Sequence, residues 1–289
     1  MSQGRWNEDE IVVRRPKNIK CALSGILNEE QKNALVKSFD IIGDIAIVEI
    51  PDILIQKEKE IAKAIMQVHR NVHTVVKKQS PMAGEYRTRK LKIILGEKTE
   101  TLHTENNVRM LLDVAKVYFS PRLSFERKRI AEEVKNGEKI LALFAGVGPF
   151  PLVIAKTRKN CEIVAIELNP IAAEYLKKNI EINKTKDITA ICGDVGEIVQ
   201  RDYKNFADRI LMPLPKDAEM FLNAAYEGAK NGAIIHFYTF ADIKNPFEDA
   251  KRKIFAYLKN ENVEIIFERI VRPFSPAYVQ VAVDLKVKK

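Results

Sequence analysis

The stretch ILALFAGVGPFPLVIA, Ile140–Ala155, is the part of the sequence most informative about the fold. Ile140–Phe144 is short, continuously apolar and followed by a turn, which is typical of a strand buried in a parallel sheet. Ala145–Gly148 forms a glycine turn, and Pro149 suits the first position of a helix because its missing N–H costs nothing there. A strand, a glycine turn and a helix N-terminus together place backbone N–H groups beside a ligand. Dinucleotides, nucleotides and S-adenosylmethionine all use such turns, so the ligand stays open at this point.

Regular alternation of strands and helices surrounds this stretch. The pattern predicts strands at Ile140–Phe144, Glu162–Ile166, Ile188–Cys192, Arg209–Met212 and Ala233–Tyr238, and helices at Ile171–Asn183, Asp217–Ala229 and Pro246–Lys259. Such alternation is typical of a doubly wound, mostly parallel, Rossmann-like α/β sheet. The last two strands, VEIIFERIV and YVQVAVDLKV, are joined by the short RPFSPA segment, which leaves no room for a helix. We therefore expect an antiparallel hairpin at one edge of the sheet.

The pattern before Asn106 is different and predicts a smaller N-terminal α+β domain. IAIVEIP (45–51), TVVKKQ (74–79) and YRTRKLKIIL (86–95) have the composition of strands, and Lys57–His69 has helical spacing. The predicted organisation is a polar leader over residues 1–20, a smaller α+β domain over 21–106 and the α/β domain over 107–289.

Composition narrows the class of protein. The chain has 289 residues, 46% of them hydrophobic, which is enough for one large core or two modest ones. No apolar run is long enough to cross a bilayer, and the N-terminus lacks a hydrophobic signal core. Cys21, Cys161 and Cys192 lack metal-binding spacing, which predicts no metal site and a reducing, cytoplasmic location. We expect all three to be small buried apolar residues.

The net charge of +9 favours a polyanionic partner. The cations fall into three clusters outside the glycine turn: Arg14, Arg15, Lys17 and Lys20; Lys77, Lys78, Arg87, Arg89, Lys90 and Lys92; Arg122, Arg127, Lys128 and Arg129. Any one cluster is explained by a solvated surface, whereas three together favour a nucleic acid.

Residues around the turn distinguish between cofactors. A dinucleotide fingerprint needs a small residue three positions after Gly148, where this chain has Pro151. A phosphate-binding loop fails as well, because no Gly-Lys-Ser/Thr follows the turn. Glu167 ends the next strand, where a carboxylate can accept hydrogen bonds from both ribose hydroxyls, and Asp194 follows the third strand, where it can accept from an adenine amine.

The glycine turn, the two acidic residues and the terminal hairpin together resemble class I S-adenosylmethionine-dependent methyltransferases. The resemblance implies cofactor contacts at the ends of three strands: Phe144, Ala145, Gly146, Val147, Gly148, Glu167, Leu168, Asp194 and Val195.

A narrower resemblance rests on SFDIIGDIAIVEIP, GEYRTRKLKIILGEKTETLHTENN, VYFSPRLSFERKRIA, LFAGVGPF and the FYTF…SPAYVQVAVDLKV tail. These motifs, from Phe39 to the C-terminus, are similar to the archaeal and eukaryotic tRNA methyltransferases that act on purine 37, beside the anticodon. We expect the chain to lack the additional small N-terminal domain with which many members hold the tRNA elbow. The resemblance implies tRNA, most specifically tRNA(Phe), as partner, no membrane association and a monomer.

The resemblance also implies roles for individual residues. Glu126 is implied as the general base that removes the guanine N1 proton, and Arg87 as the cation that stabilises charge developing on O6. Tyr118 is implied as an aromatic floor for the flipped base, and Arg89, Arg122 and Arg127 as further RNA contacts. Without the family, Glu126 and Arg87 are ordinary surface charges.

Two departures from the family pattern concern RILMPLPK, Arg209–Lys216, and the first strand. Guanine-N1 enzymes usually have Asn-Leu-Pro where this chain has Pro213, Leu214 and Pro215, and proline offers neither a side-chain hydrogen bond nor an N–H. This resembles an archaeal subgroup that also, or only, methylates C7 of the wyosine precursor 4-demethylwyosine, and it gives Pro213 and Pro215 catalytic positions. Ala142 stands where relatives often carry an acidic residue.

The sequence therefore predicts methylation at N1 of guanosine-37, at C7 of 4-demethylwyosine, or at both, with Pro213 favouring both. A guanine-N1-only enzyme is the alternative. A related aminocarboxypropyl transferase fits less well, because its glycine turn and fourth-strand segment differ from FAGVGPF and MPLP. A tRNA-binding module with an inactive cofactor site fits less well because the turn, Glu167 and Asp194 are intact, and an oxidoreductase because the dinucleotide fingerprint fails at Pro151.

Overall fold

The computed structural model describes residues 15–82, 84, 86–214, 216–259 and 262–289. The described residues form two compact units. The first comprises those up to Gln79 together with Leu91–Lys98, and the second comprises Ser80–Lys90 and Thr99–Lys289. Most of the predicted leader, up to position 14, lies outside the described residues.

The first unit is an α+β unit around one four-stranded sheet. Its helices are α1 (Ile19–Ala22), α2 (Glu29–Ala34) and α3 (Glu58–Val68), and its strands are β1 (Asp40–Ile42), β2 (Ile45–Val48), β3 (Thr74–Lys78) and β4 (Leu91–Leu95). The strands lie in the order β1-β2-β3-β4, with β2 and β3 parallel. The buried face of α3 packs on the sheet through Ile61, Ala62 and Ile65.

The predicted strand over residues 86–95 exists only from Leu91. The preceding residues belong to the second unit, where Tyr86 and Arg87 lie in a turn and Thr88 forms an isolated bridge; the φ of Arg87 is 51°, outside the range of a strand. The sequence-based boundary at Asn106 falls in the turn between two paired strands, β5 (Glu100–Glu105) and β6 (Val108–Asp113). Because these strands share a hydrogen-bonded ladder, they stay in one unit.

The second unit carries a seven-stranded sheet. Its remaining strands are β7 (Lys139–Leu143), β8 (Glu162–Glu167), β9 (Ile188–Cys192), β10 (Ala207–Met212), β11 (Ala229–Asp242), β12 (Val263–Pro273) and β13 (Tyr278–Val287). Its helices are α4 (Ser124–Glu133), α5 (Pro149–Thr157), α6 (Pro170–Asn183), α7 (Val195–Asp202), α8 (Leu222–Gly228) and α9 (Pro246–Phe255).

The sheet has the order β12-β13-β11-β10-β7-β8-β9. Strands β7 to β11 are parallel, and β13 runs antiparallel between β11 and β12. The doubly wound fold and the terminal hairpin are therefore confirmed. Strand β11 is longer than predicted because β13 pairs with it from Ile234 to Asp242. Helix α8 is shorter than predicted because a 3-10 turn, Ala218–Phe221, precedes it and Ala229 already begins β11.

Burial differs from expectation at two cysteines. Cys161 is buried, whereas Cys21 and Cys192 are exposed. Cys192 ends β9, the outermost strand on its side of the sheet, so no further strand covers it. Among the described residues, no helix combines the length and apolarity that crossing a bilayer requires.

Candidate active site

A cavity of about 310 Å³ lies at the carboxyl ends of the central parallel strands. Residues that end or follow four adjacent strands line it: Phe144 after β7, Glu167 on β8, Asp194 after β9 and Pro213 after β10. This edge of a doubly wound sheet is where ligands bind. The full wall comprises Gly84, Tyr86, Arg87, Tyr118, Phe119, Ser120, Leu123, Arg127, Phe144, Ala145, Gly146, Pro149, Phe150, Glu167, Leu168, Asn169, Ala172, Asp194, Val195, Pro213, Leu214, Lys216, Asp217 and Phe221.

Hydrogen bonds fix the glycine turn. The Ala145 N–H donates to the Ile166 carbonyl at 2.9 Å, and the Gly146 N–H donates to Glu167 Oε2 at 2.7 Å. Gly146 and Gly148 have φ values of 57° and 94°, which favour glycine. A Cβ at Gly148 would lie 2.5 Å from Leu176 Cδ1 in the core. Gly148 and its neighbour Val147 therefore shape the turn from behind and are not part of the cavity wall.

Glu167 joins the turn to the cavity. Its Oε1 accepts from the Asn169 N–H at 2.8 Å while its Oε2 accepts from Gly146. Burial raises the pKa of Glu167 above its ordinary value, although backbone hydrogen bonds from Asn169, Gly146 and Leu168 act against the increase. A carboxylate has about four acceptor positions, so Glu167 can still accept from ligand hydroxyls.

Asp194 caps a helix and also lines the cavity. It is the N-cap of α7, where Oδ1 accepts from the Glu197 N–H at 3.0 Å. It also lines the cavity, together with its neighbour Val195 and with Leu168 beyond β8. Capping one oxygen leaves the other to accept a hydrogen bond from a ligand amine.

A cation over an aromatic ring forms another part of the wall. The Arg87 guanidinium carbon lies 5.0 Å from the centre of the Tyr118 ring. Among the described residues, the buried Arg87 Nη1 has no hydrogen-bond partner. Burial lowers the pKa of Arg87, while Tyr118 and Asp217 act in the opposite direction. The cavity therefore combines an aromatic face with a donor that is free to bind a ligand oxygen.

Glu126 is absent from the cavity wall. Its Oε2 accepts from the Tyr238 hydroxyl at 2.9 Å and from Arg129 Nε at 3.0 Å. Its Oε1 lies 3.1 Å from Arg269 Nη1, in an ion pair whose alignment is too poor for a hydrogen bond. Its side chain is 2% exposed. The residue is thus held between two guanidinium groups, and its role as general base stays a prediction.

Arg127, the next residue, faces the cavity but does not reach the surface. It forms a bidentate pair with Glu105, with 2.7 Å between Arg127 Nη2 and Glu105 Oε2, and also donates to the Ser120 carbonyl. Its side chain is 2% exposed. A guanidinium buried and paired in this way supports the cavity wall and is not available to an RNA phosphate, contrary to the role considered for it.

Several other cations of the predicted clusters are also paired. Lys77 and Lys92 both bind Glu58, Lys78 lies 2.6 Å from Glu49, and Arg129 lies 2.7 Å from Asp284. Arg89 is half-buried and Arg122 is exposed, and neither lines the cavity. The number of lysines and arginines in each cluster therefore overstates the positive charge that a partner meets.

Of the MPLP segment, Pro213 and Leu214 line the cavity, and Pro215 lies outside the described residues. Ala142 is 1% exposed within β7 and is not part of the wall.

Sequence patterns did not reveal several wall residues. Local sequence could have indicated Phe150 and Asn169, because both lie at the start of a helix that follows a strand of the sheet: Phe150 follows Pro149 in α5, and Asn169 is the N-cap of α6. Phe119, Asp217 and Phe221 had none, because only the folded chain brings their segments to the turn.

A polar cluster, buried except for Glu133, lies between α4 and the sheet. The ligand atoms of Glu133, His236 and Asp284 lie within 4.8 Å of one another, a spacing that suits a metal ion. Each is already engaged, however: His236 hydrogen-bonds to Asp284 at 2.7 Å, and Arg129 binds both carboxylates. Burial lowers the pKa of His236. These groups form a hydrogen-bonded ion cluster.

Comparison with known proteins gives a consistent result. A sequence profile described as the TRM5/TYW2 methyltransferase domain matches residues 101–266, and one described as the TYW2 N-terminal domain matches residues 19–99. The chain is 43% identical to tRNA (guanine(37)-N(1))-methyltransferase Trm5b of Pyrococcus abyssi, over 97% of this chain and 83% of the relative. It is 35% identical to the tRNA (guanine(37)-N(1))/4-demethylwyosine(37)-methyltransferase Taw22 of Nanoarchaeum equitans, over 75% of this chain and 88% of the relative.

A third relative is named for a different transfer. The chain is 34% identical to the tRNA(Phe) (4-demethylwyosine(37)-C(7)) aminocarboxypropyltransferase of Pyrococcus horikoshii, over 94% of this chain and 96% of the relative.

Solved structures agree. The crystal structure of Trm5b from Pyrococcus abyssi has a TM-score of 0.84 at 42% identity, covering 96% of this chain and 82% of that one. A complex of aTrm5 with tRNALeu has a TM-score of 0.84 at 34% identity, covering 97% and 82%. Pyrococcus horikoshii TYW2 in complex with MeSAdo has a TM-score of 0.78 at 31% identity, covering 94% and 98%.

Proposed function

Because the chain belongs to the TRM5/TYW2 methyltransferase family, we propose that it is an S-adenosylmethionine-dependent methyltransferase acting on purine 37 of tRNA(Phe). Its reactions are N1 methylation of guanosine-37 and C7 methylation of 4-demethylwyosine, carried out by a monomer in the cytoplasm. One observation carries the proposal: a single cavity combines the glycine turn and Glu167 with Arg87, Tyr118 and Pro213.

The strand-end half of the cavity suits the cofactor. All four residues line the cavity; there Glu167 would accept hydrogen bonds from the ribose hydroxyls, Asp194 would accept one from the adenine amine, and the Ala145–Gly146 backbone would lie beside the ligand. S-Adenosylmethionine supplies an electrophilic methyl group on a sulfonium. The protein's task is to orient an acceptor atom in line with it.

The Arg87–Tyr118 half suits the base. A flipped purine stacks on Tyr118, and Arg87 Nη1 donates to the purine O6. When N1 loses its proton, negative charge spreads onto O6, where the guanidinium stabilises it. Glu126 does not line the cavity, so its carboxylate accepts that proton only after it leaves its contacts with Arg269, Arg129 and Tyr238. C7 methylation needs no deprotonation before attack, since the ring supplies the electrons, and the C7 proton leaves after the methyl group has been added.

Pro213 supports activity on both bases. An asparagine at this position would hold guanine by a polar contact, which fixes N1 towards the methyl group. Proline presents a rigid apolar surface to the cavity and accepts either base.

The test is nucleoside analysis of tRNA(Phe) after incubation with labelled S-adenosylmethionine, with guanosine-37 and 4-demethylwyosine-37 substrates compared. We expect labelled methyl in both. Methyl in guanosine alone would support the N1-only alternative. Transfer of the aminocarboxypropyl group instead would contradict methyl transfer, and no transfer to either tRNA would contradict an enzymatic role.

A further inference from the structure

Helix α6 carries two asparagines that bind strand β6 with their side chains. Asn179 Oδ1 accepts from the Leu111 N–H at 2.7 Å, and Asn179 Nδ2 donates to the Leu111 carbonyl at 3.0 Å. Four positions later, Asn183 makes the same two contacts with the backbone of Arg109, accepting at 2.9 Å and donating at 2.6 Å. Each amide thus continues the hydrogen-bonding pattern of the strand, as a neighbouring strand would.

The two asparagines differ in their third hydrogen bond. Asn179 Nδ2 also donates to the Val147 carbonyl at 2.9 Å, whereas the second Asn183 hydrogen bond goes to the Asn179 carbonyl within the helix. Val147 is the central residue between Gly146 and Gly148 in the glycine turn. Asn179 is fully buried and both of its amide hydrogens are used.

The Val147 contact completes the set of hydrogen bonds that holds the turn. The N–H groups of Ala145 and Gly146 donate to acceptors on β8, and the Gly148 N–H donates to the Ala145 carbonyl within the turn. All three of these contacts use an N–H group of the turn. Asn179 binds the turn from the opposite side, through α6. A buried carbonyl left without a donor costs free energy, so the turn would shift to find another partner.

We propose that Asn179 is a positioning residue for cofactor binding, through its hydrogen bond to the Val147 carbonyl. It does not line the cavity and acts by fixing the turn that does. It also ties the turn to β6, the strand that leads into Tyr118. The inference rests on the proposed cofactor site.

The test compares Asn179→Ala with Asn183→Ala. Both variants lose two contacts to β6, and only Asn179→Ala loses the contact to the turn. The dissociation constant for S-adenosylmethionine is measured by calorimetry, KM and kcat by methyl transfer, and thermal stability by circular dichroism. We expect both variants to lose stability and only Asn179→Ala to bind the cofactor about 3- to 10-fold more weakly, the equivalent of one hydrogen bond. KM for the cofactor should rise by the same factor and kcat should be retained at saturation.

Equal affinity loss in the two variants, or wild-type affinity in Asn179→Ala, would overturn the inference. If wild-type protein itself fails to bind S-adenosylmethionine, the proposed function fails and not merely the role of Asn179. Should Asn179→Ala not fold, Asn179→Ser keeps a polar group at the buried position but is too short to reach Val147, and the same affinity loss is expected.

Discussion

Replacing Gly148 by alanine tests whether close packing behind the turn, and not backbone conformation alone, requires glycine. At a φ of 94° an L-residue loses about 1–2 kcal/mol. The new Cβ would also lie 2.5 Å from Leu176 Cδ1 and 3.2 Å from Leu152 Cδ1. Both leucines are fully buried and have little room to move, so overpacking adds about 1–3 kcal/mol.

Gly137→Ala is the matched control. Gly137 has a φ of 82°, lies in the same unit and has no atom within 4 Å of its Cβ position. The backbone cost and the effect on the unfolded chain therefore cancel between the two variants. We expect Gly148→Ala to be less stable than Gly137→Ala by about 1–3 kcal/mol in urea unfolding, or about 2–4 °C in Tm per kcal/mol. Equal stability of the two variants would refute the packing argument.

Further predictions concern the cavity and the partner. Glu167→Gln should weaken S-adenosylmethionine binding about 10- to 100-fold, because charge-assisted hydrogen bonds to the ribose are lost. Burial raises the pKa of Glu167 and the ligand needs the ionised carboxylate, so the cofactor affinity of the wild type should fall as pH decreases through that raised pKa. Calorimetry should find that the affinity of Glu167→Gln does not change with pH. The same pH dependence of affinity in both proteins would contradict the assignment. Pro213→Asn should change the ratio of N1 to C7 rates by about 2- to 10-fold in favour of N1, measured on the two tRNA substrates; equal changes in both rates would make Pro213 structural. Glu126→Ala should change the two rates by different factors, whereas Arg87→Ala should lower both. The logarithm of the tRNA affinity should fall linearly with the logarithm of the salt concentration, while cofactor affinity stays constant. Lys90 is exposed, and Lys90→Ala should reduce the steepness of that line by about 0.7–0.9. Lys78→Ala, which removes a lysine paired with Glu49, should alter that slope less, and a salt-independent tRNA affinity would contradict phosphate binding.

Local sequence patterns were enough to predict the sheet and its ligand-binding edge. Apolar runs of strand length, a proline at a helix start and glycines at positive φ are properties of a few adjacent residues, so a local pattern is enough to predict them. Glu167 and Asp194 follow from the same local information, because the end of each strand is fixed once the strand is. The cavity wall contains both.

Which charged groups are available to a ligand depends on contacts that form only in the folded protein. Glu126 and Arg127 are adjacent in sequence, but the helix turns each towards a different partner. Arg127 meets Glu105 from the β5–β6 hairpin, and Glu126 meets Arg269 from β12. Asn179 likewise reaches Val147 from 32 positions away. Whether a polar group is free or paired depends on segments that are distant in sequence and become neighbours only when the sheet forms, so no local pattern contains that information.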